Sequence, residues 1–186
     1  MKYLLIVFVL SVFSMSVFAE GPKTDTFKVG AVVGNIALSG YAGDSANSSS
    51  RNSIGVGGVL GYSIEDELSF ELSYIQSSHD KVNHQDINLG VQYYFNSYEP
   101  FYYGFTGGVA FVTNEIEAHS GNPSQEDTAF GLFIGAGADV FTKRSLIIGL
   151  QARYYKMFGS EVDYGGSKIE LVDNHYTILA RILFQF

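Results

Sequence analysis

The sequence of 186 residues contains no cysteine, no tryptophan and only three prolines. Without cysteine there is no disulfide, no thiolate metal site and no acylated N-terminal cysteine, so the fold must rest on packing and hydrogen bonds alone. So few prolines leave long segments free to pair as strands. Charge is scarce too, at 16% of residues, and it is one-sided: 11 Lys and Arg stand against 19 Asp and Glu, a net charge of -8. No basic cluster occurs, which excludes nucleic acid as a partner, because phosphate binding needs clustered Lys and Arg. Beyond Glu20 no apolar run reaches the ~18 residues of a transmembrane helix.

What is abundant points to β structure, with 15 Phe, 13 Tyr and 21 Gly. Residues 1–19 read as a secretory signal peptide. Lys2 supplies the positive start, an apolar run follows from Tyr3 to Phe13, and Val17, Phe18 and Ala19 precede a cleavage point between Ala19 and Glu20. The apolar part is too short to cross a bilayer as a helix. The expected organisation is therefore a signal peptide, 1–19, and one domain, 20–186.

Within that domain apolar residues recur with period two in eight segments: 27–38, 53–63, 68–77, 85–95, 101–112, 129–141, 146–157 and 176–186. The last is the clearest. Tyr176, Ile178, Ala180, Ile182, Phe184 and Phe186 share one face, while Thr177, Arg181 and Gln185 share the other with Leu179 and Leu183. An apolar face backed by a face that contains charge is the pattern of a strand between lipid and a barrel lumen. The links alternate in length. Those at 64–67, 96–100 and 142–145 are short, and those at 39–52, 78–84, 113–128 and 158–174 are long and polar. Aromatic residues of the apolar faces gather at segment ends: Phe27, Tyr62, Phe95, Phe101, Phe184 and Phe186 at one rim, Tyr74, Phe111, Phe130, Tyr154 and Tyr176 at the other. These features predict an all-β fold, an eight-stranded antiparallel up-and-down transmembrane β-barrel with four extracellular loops. A soluble lipocalin-like barrel is the alternative, and it would place the apolar faces in water.

The stretch Gly135-Ala-Gly-Ala-Asp-Val140, a short turn, Ile148-Gly-Leu-Gln-Ala-Arg-Tyr-Tyr155 and the terminal strand ending in Phe186 resemble the small outer-membrane barrels of the OmpA, OmpX and opacity-protein type. That family repeats a GAGADV, turn, LGLEYRY hairpin and ends in an aromatic insertion signal. The resemblance implies an outer-membrane location in a Gram-negative bacterium. It also implies contact with outer-membrane lipids and lipopolysaccharide, and assembly by periplasmic chaperones and the barrel assembly machinery through a signal that includes Tyr176, Ile182, Phe184 and Phe186. Because the sequence ends at Phe186, no cell-wall-binding domain is expected to follow.

Parity places Lys28, Glu71, Asp139, Arg153 and Arg181 inside. A barrel of this size has room for little beyond its own side chains, so Glu71 and Asp139 are expected to pair with Arg153 and Arg181. The candidates for catalysis are the four histidines. His79, His84 and His119 fall in expected loops and His175 opens the last strand; His119 and Ser120 are adjacent and would point opposite ways in extended chain. Glu126, Asp127, Glu161 and Asp163 carry no calcium-loop spacing. The expectation is a monomeric, non-enzymatic surface protein with no cofactor and no metal site, supporting the envelope and contacting host or surface ligands through its loops. The alternatives are a small channel or hydrophobic-ligand conduit, and a lipid A-modifying enzyme.

Overall fold

The computed structural model describes residues 22–39, 52–79, 82–98, 101–116, 124–142, 145–159, 161–164, 167–170 and 172–186. The expected signal peptide and its cleavage point at Ala19 and Glu20 lie outside them, as do His119 and Ser120. Ten strands are described: β1 Thr26–Leu38, β2 Asn52–Ser63, β3 Leu68–His79, β4 Val82–Tyr98, β5 Phe101–Ile116, β6 Gln125–Phe141, β7 Leu146–Phe158, β8 Glu161–Tyr164, β9 Ser167–Glu170 and β10 Asn174–Gln185. Eight of them close a barrel in the order β1-β10-β7-β6-β5-β4-β3-β2, and β8 and β9 form a separate two-stranded sheet in the link between β7 and β10. Every pairing is antiparallel.

Closure is a consequence of what surrounds the strands. An open sheet would leave a row of backbone N–H and C=O groups without partners, several kcal/mol each in a medium that cannot hydrogen-bond. Here β10 pairs with β1 from His175 opposite Leu38 to Gln185 opposite Lys28. The seam continues to the final residue: Phe27 N donates to Phe186 O at 2.9 Å, and Phe186 N donates to Phe27 O at 3.0 Å.

The period-two pattern decides which face is which. Along β10 buried and exposed residues alternate without a break. Leu60, Phe105, Ile134, Leu150 and Ile178 are all more than half exposed, and they belong to one continuous outward apolar belt. Cross-strand ring pairs border that belt: Phe27 with Tyr62 at 5.0 Å and Phe95 with Phe105 at 4.9 Å at one rim, Phe111 with Phe130 at 5.5 Å and Tyr154 with Tyr176 at 5.0 Å at the other. Tyr62 and Tyr93 turn their hydroxyls to Asp25 and Glu67, beyond the belt.

Tight links join strands at the rim that also holds Phe186. The 64–67 turn is closed by Ile64 N donating to Leu68 O at 2.9 Å, and the 142–145 turn by Thr142 N donating to Leu146 O at 2.9 Å. Ser145 takes a left-handed φ of 60° to complete the second turn. The second of the long links is much shorter than the sequence pattern predicts. β3 runs to His79 and β4 starts at Val82, so 78–84 is mostly strand. The reason is physical: past the lipid belt the outward positions Gln76, Ser78 and Gln85 are polar, and pairing continues after the apolar alternation has stopped.

Candidate functional site

The lumen is filled in layers, and Arg181 on β10 is at its centre. Its Nη1 donates to both carboxylate oxygens of Glu71 on β3, each at 3.0 Å, and its Nε donates to Asp139 Oδ1 of β6 at 2.9 Å, while Nη2 bonds Asp139 Oδ2. One guanidinium thus clamps two carboxylates, using the fixed fork of donors that lysine lacks. All three side chains are buried. Alone, each charge would cost several kcal/mol in such an interior, and the clamp offsets that cost.

Arg153 is placed differently. Its Nη2 lies 3.9 Å from Glu71 Oε2, at the edge of an ion pair, and its stronger bonds are neutral: Nε to Gln151 Oε1 at 2.9 Å and Nη1 to Ser73 Oγ at 3.1 Å. Its guanidinium also packs 5.1 Å from the centre of the Phe133 ring. Gln151 passes the chain on to Gln92 at 2.9 Å. Lys28 donates to Ser69 Oγ at 2.7 Å and lies 5.6 Å from the Tyr94 ring centre.

Glycines make the ionic layer possible. Gly149 on β7 pairs with Arg181 on one side and Asp139 on the other. A Cβ at Gly149 would come within 1.8 Å of Asp139 Oδ1. Gly61 is similarly interposed between Lys28 and Glu71.

Aromatic layers close the lumen on both sides of the charges. Tyr94, Tyr102 and Phe141 meet edge to face with centroids 4.9 to 6.1 Å apart toward the short-link rim. Toward the other rim Phe133 packs on Tyr155 at 5.4 Å, and His175 stacks on Tyr155 at 4.0 Å. Tyr94 also donates to Asp139 Oδ2, which ties the first aromatic layer to the clamp.

His175 opens the last strand as expected, but two other histidines are not where the sequence pattern puts them. His79 and His84 lie in β3 and β4, not in a loop, and both face inward with His175. His84 and His175 converge on Asp86, which the sequence reading passed over although its parity with Asn88 marks it as inward. Of the loop acids, Glu126 and Asp127 belong to β6, while the side chains of Glu161 and Asp163 lie outside the described residues. Tyr176, Ile182, Phe184 and Phe186, the residues expected to form an assembly signal, all point outward.

A closed eight-stranded barrel with an outward apolar belt, two aromatic rims and a charged, filled interior is the architecture of an integral bacterial outer-membrane protein. The chain matches the outer membrane protein beta-barrel domain family over residues 5–177 and belongs to that family. Solved structures repeat the fold at low identity. Neisserial surface protein A is 15% identical with a TM-score of 0.63, covering 90% of this chain and 100% of its own. The N-terminal barrel domain of OprF from Pseudomonas aeruginosa is 15% identical with a TM-score of 0.60, covering 88% and 98%. Ail, the attachment invasion locus protein of Yersinia pestis, is 14% identical with a TM-score of 0.53, covering 88% and 100%. No curated protein sequence matches the chain. The protein is located in the outer membrane.

Proposed function

We propose that this barrel is a non-enzymatic outer-membrane protein that stabilises the envelope and presents its four links between strands at the cell surface for contact with surface or host ligands. The observation that carries the reading is the filled lumen. From Tyr102 and Phe141 through the Arg181 clamp to Tyr155 and His175, the layers occupy the cross-section with buried side chains. A rigid plugged barrel transmits nothing and serves as a scaffold, so recognition falls to its links. The likeness to Ail, an attachment invasion locus protein, favours the same role. Planar-bilayer recording of the purified barrel tests the scaffold against the channel: no stable unitary conductance is expected, and well-defined single-channel steps would overturn the plugged-lumen reading.

A second reading has one observation in its favour. Ser77 Oγ lies 2.9 Å from His79 Nε2, the nucleophile-and-base contact of a hydrolase. The pair is buried and faces the lumen, so an acyl ester of lipid A outside the barrel has no approach to it. Lipid A from cells with and without the protein should give identical mass spectra, and a missing acyl chain would restore the enzyme.

A further inference from the structure

We infer that the barrel mouth opposite the short-link rim holds a binding site for a divalent first-row transition ion of the zinc type, formed by His84 and Asp86 of β4 and His175 of β10. β4 and β10 are diametrically opposed in the barrel order. Their side chains therefore meet across the lumen, 89 residues apart in sequence, and all three are completely buried. Each offers one ligand atom, and the three atoms lie within 4.8 Å of one another. Bonds of about 2.0–2.1 Å in a tetrahedral site need ligand separations of roughly 3.4 Å, so small side-chain adjustments suffice.

The hydrogen-bond pattern leaves a place for a cation. His84 Nδ1 lies 2.6 Å from Asn114 Oδ1. With Nδ1–H donating to that oxygen, a neutral His84 has its lone pair on Nε2. That atom faces Asp86 Oδ1 at 3.0 Å, an ion-pair distance without the angle of a hydrogen bond, and neither atom has another hydrogen-bond partner. Two acceptors confront each other in a dry interior, where such unpaired groups cost roughly 1–3 kcal/mol. In that tautomer a proton or a metal ion between them relieves the conflict. His175 Nε2 lies 3.3 Å from the other oxygen, Asp86 Oδ2, and its Nδ1 has no hydrogen-bond partner.

The surroundings favour the metal. Asn114 fixes the His84 tautomer from behind, and the Tyr155 ring, stacked at 4.0 Å, fixes the plane of His175; such outer supports orient metal-binding imidazoles. Two imidazoles and one carboxylate suit zinc and its neighbours, whereas calcium and magnesium call for an oxygen cage.

The test is calorimetric titration of zinc chloride into the folded, tag-free barrel in detergent near neutral pH, with cobalt(II) absorption as a second measurement. The expected result is one zinc ion per chain. His84→Gln, Asp86→Asn and His175→Gln should each weaken binding at least about tenfold, and His119→Gln should leave it unchanged. Cobalt(II) should give the visible bands of a low-coordinate nitrogen and oxygen site, and magnesium should not displace it. The inference is overturned by absent stoichiometric binding, by wild-type affinity in all three ligand variants, or by loss in His119→Gln. Should a ligand variant fail to fold, as judged by loss of its heat-dependent gel shift, the cobalt spectrum of the wild-type barrel decides in the same way.

Discussion

Asp139 and Arg181 stand on strands separated by β7 and meet over Gly149, which pairs with both. The bare backbone at Gly149 is the space through which the carboxylate reaches the guanidinium. Gly149→Ala should therefore destabilise the barrel by about 1–3 kcal/mol through overpacking. Gly107→Ala, where the nearest heavy atom to a new Cβ is 3.4 Å away, should be close to neutral. Urea unfolding in lipid vesicles compares the two.

Arg181 balances two buried carboxylates, so its removal leaves both unpaired. Arg181→Met should cost about 3–5 kcal/mol, and adding Glu71→Gln with Asp139→Asn should recover much of that loss. Arg153→Met should cost less, since its contact with Glu71 is 3.9 Å and its closer partners are neutral. Equal losses for the two arginines would contradict the central place of Arg181.

Burial of the outward belt in lipid sets a depth-dependent penalty. Leu150, which pairs with Ala180 midway along β10, lies near the centre of the belt, and Tyr176 lies in a girdle. Leu150→Arg should cost about 2–4 kcal/mol and Tyr176→Arg about 0–1 kcal/mol. Reversible unfolding from vesicles measures both, and indifference at Leu150 would argue against a lipid-facing position.

Phe186 completes the seam with Phe27 through two backbone bonds, and its ring lies 6.4 Å from that of Phe27. Deleting it should lower the amount of barrel that reaches the outer membrane in cells more than it lowers the stability of barrel refolded in vitro. Normal membrane levels of the truncated chain would show that the terminal aromatic residue is no assembly signal.

Strand identity and strand facing were legible because lipid imposes a strict rule on each strand separately: alternate residues must be apolar. Phe184, Ile182, Ala180 and Ile178 announce their outward face without reference to any neighbour. The rule lapses where strands leave the belt, and for that reason His79 and His84 read as loop residues although both lie in strands. Parity also placed Arg181, Glu71 and Asp139 inside, since a charge on the lipid face costs too much.

Parity alone could not assign partners. Which carboxylate meets which arginine depends on barrel register and shear, and these bring Gly149 between Asp139 and Arg181 while leaving Arg153 to Gln151 and Ser73. The convergence of His84, Asp86 and His175 is of the same kind. Local sequence determined that this chain makes eight alternating strands with a charged interior, because each strand must satisfy lipid on its own. Only closure, which brings β4 and β10 to opposite walls of one narrow lumen, decided which of those interior groups touch.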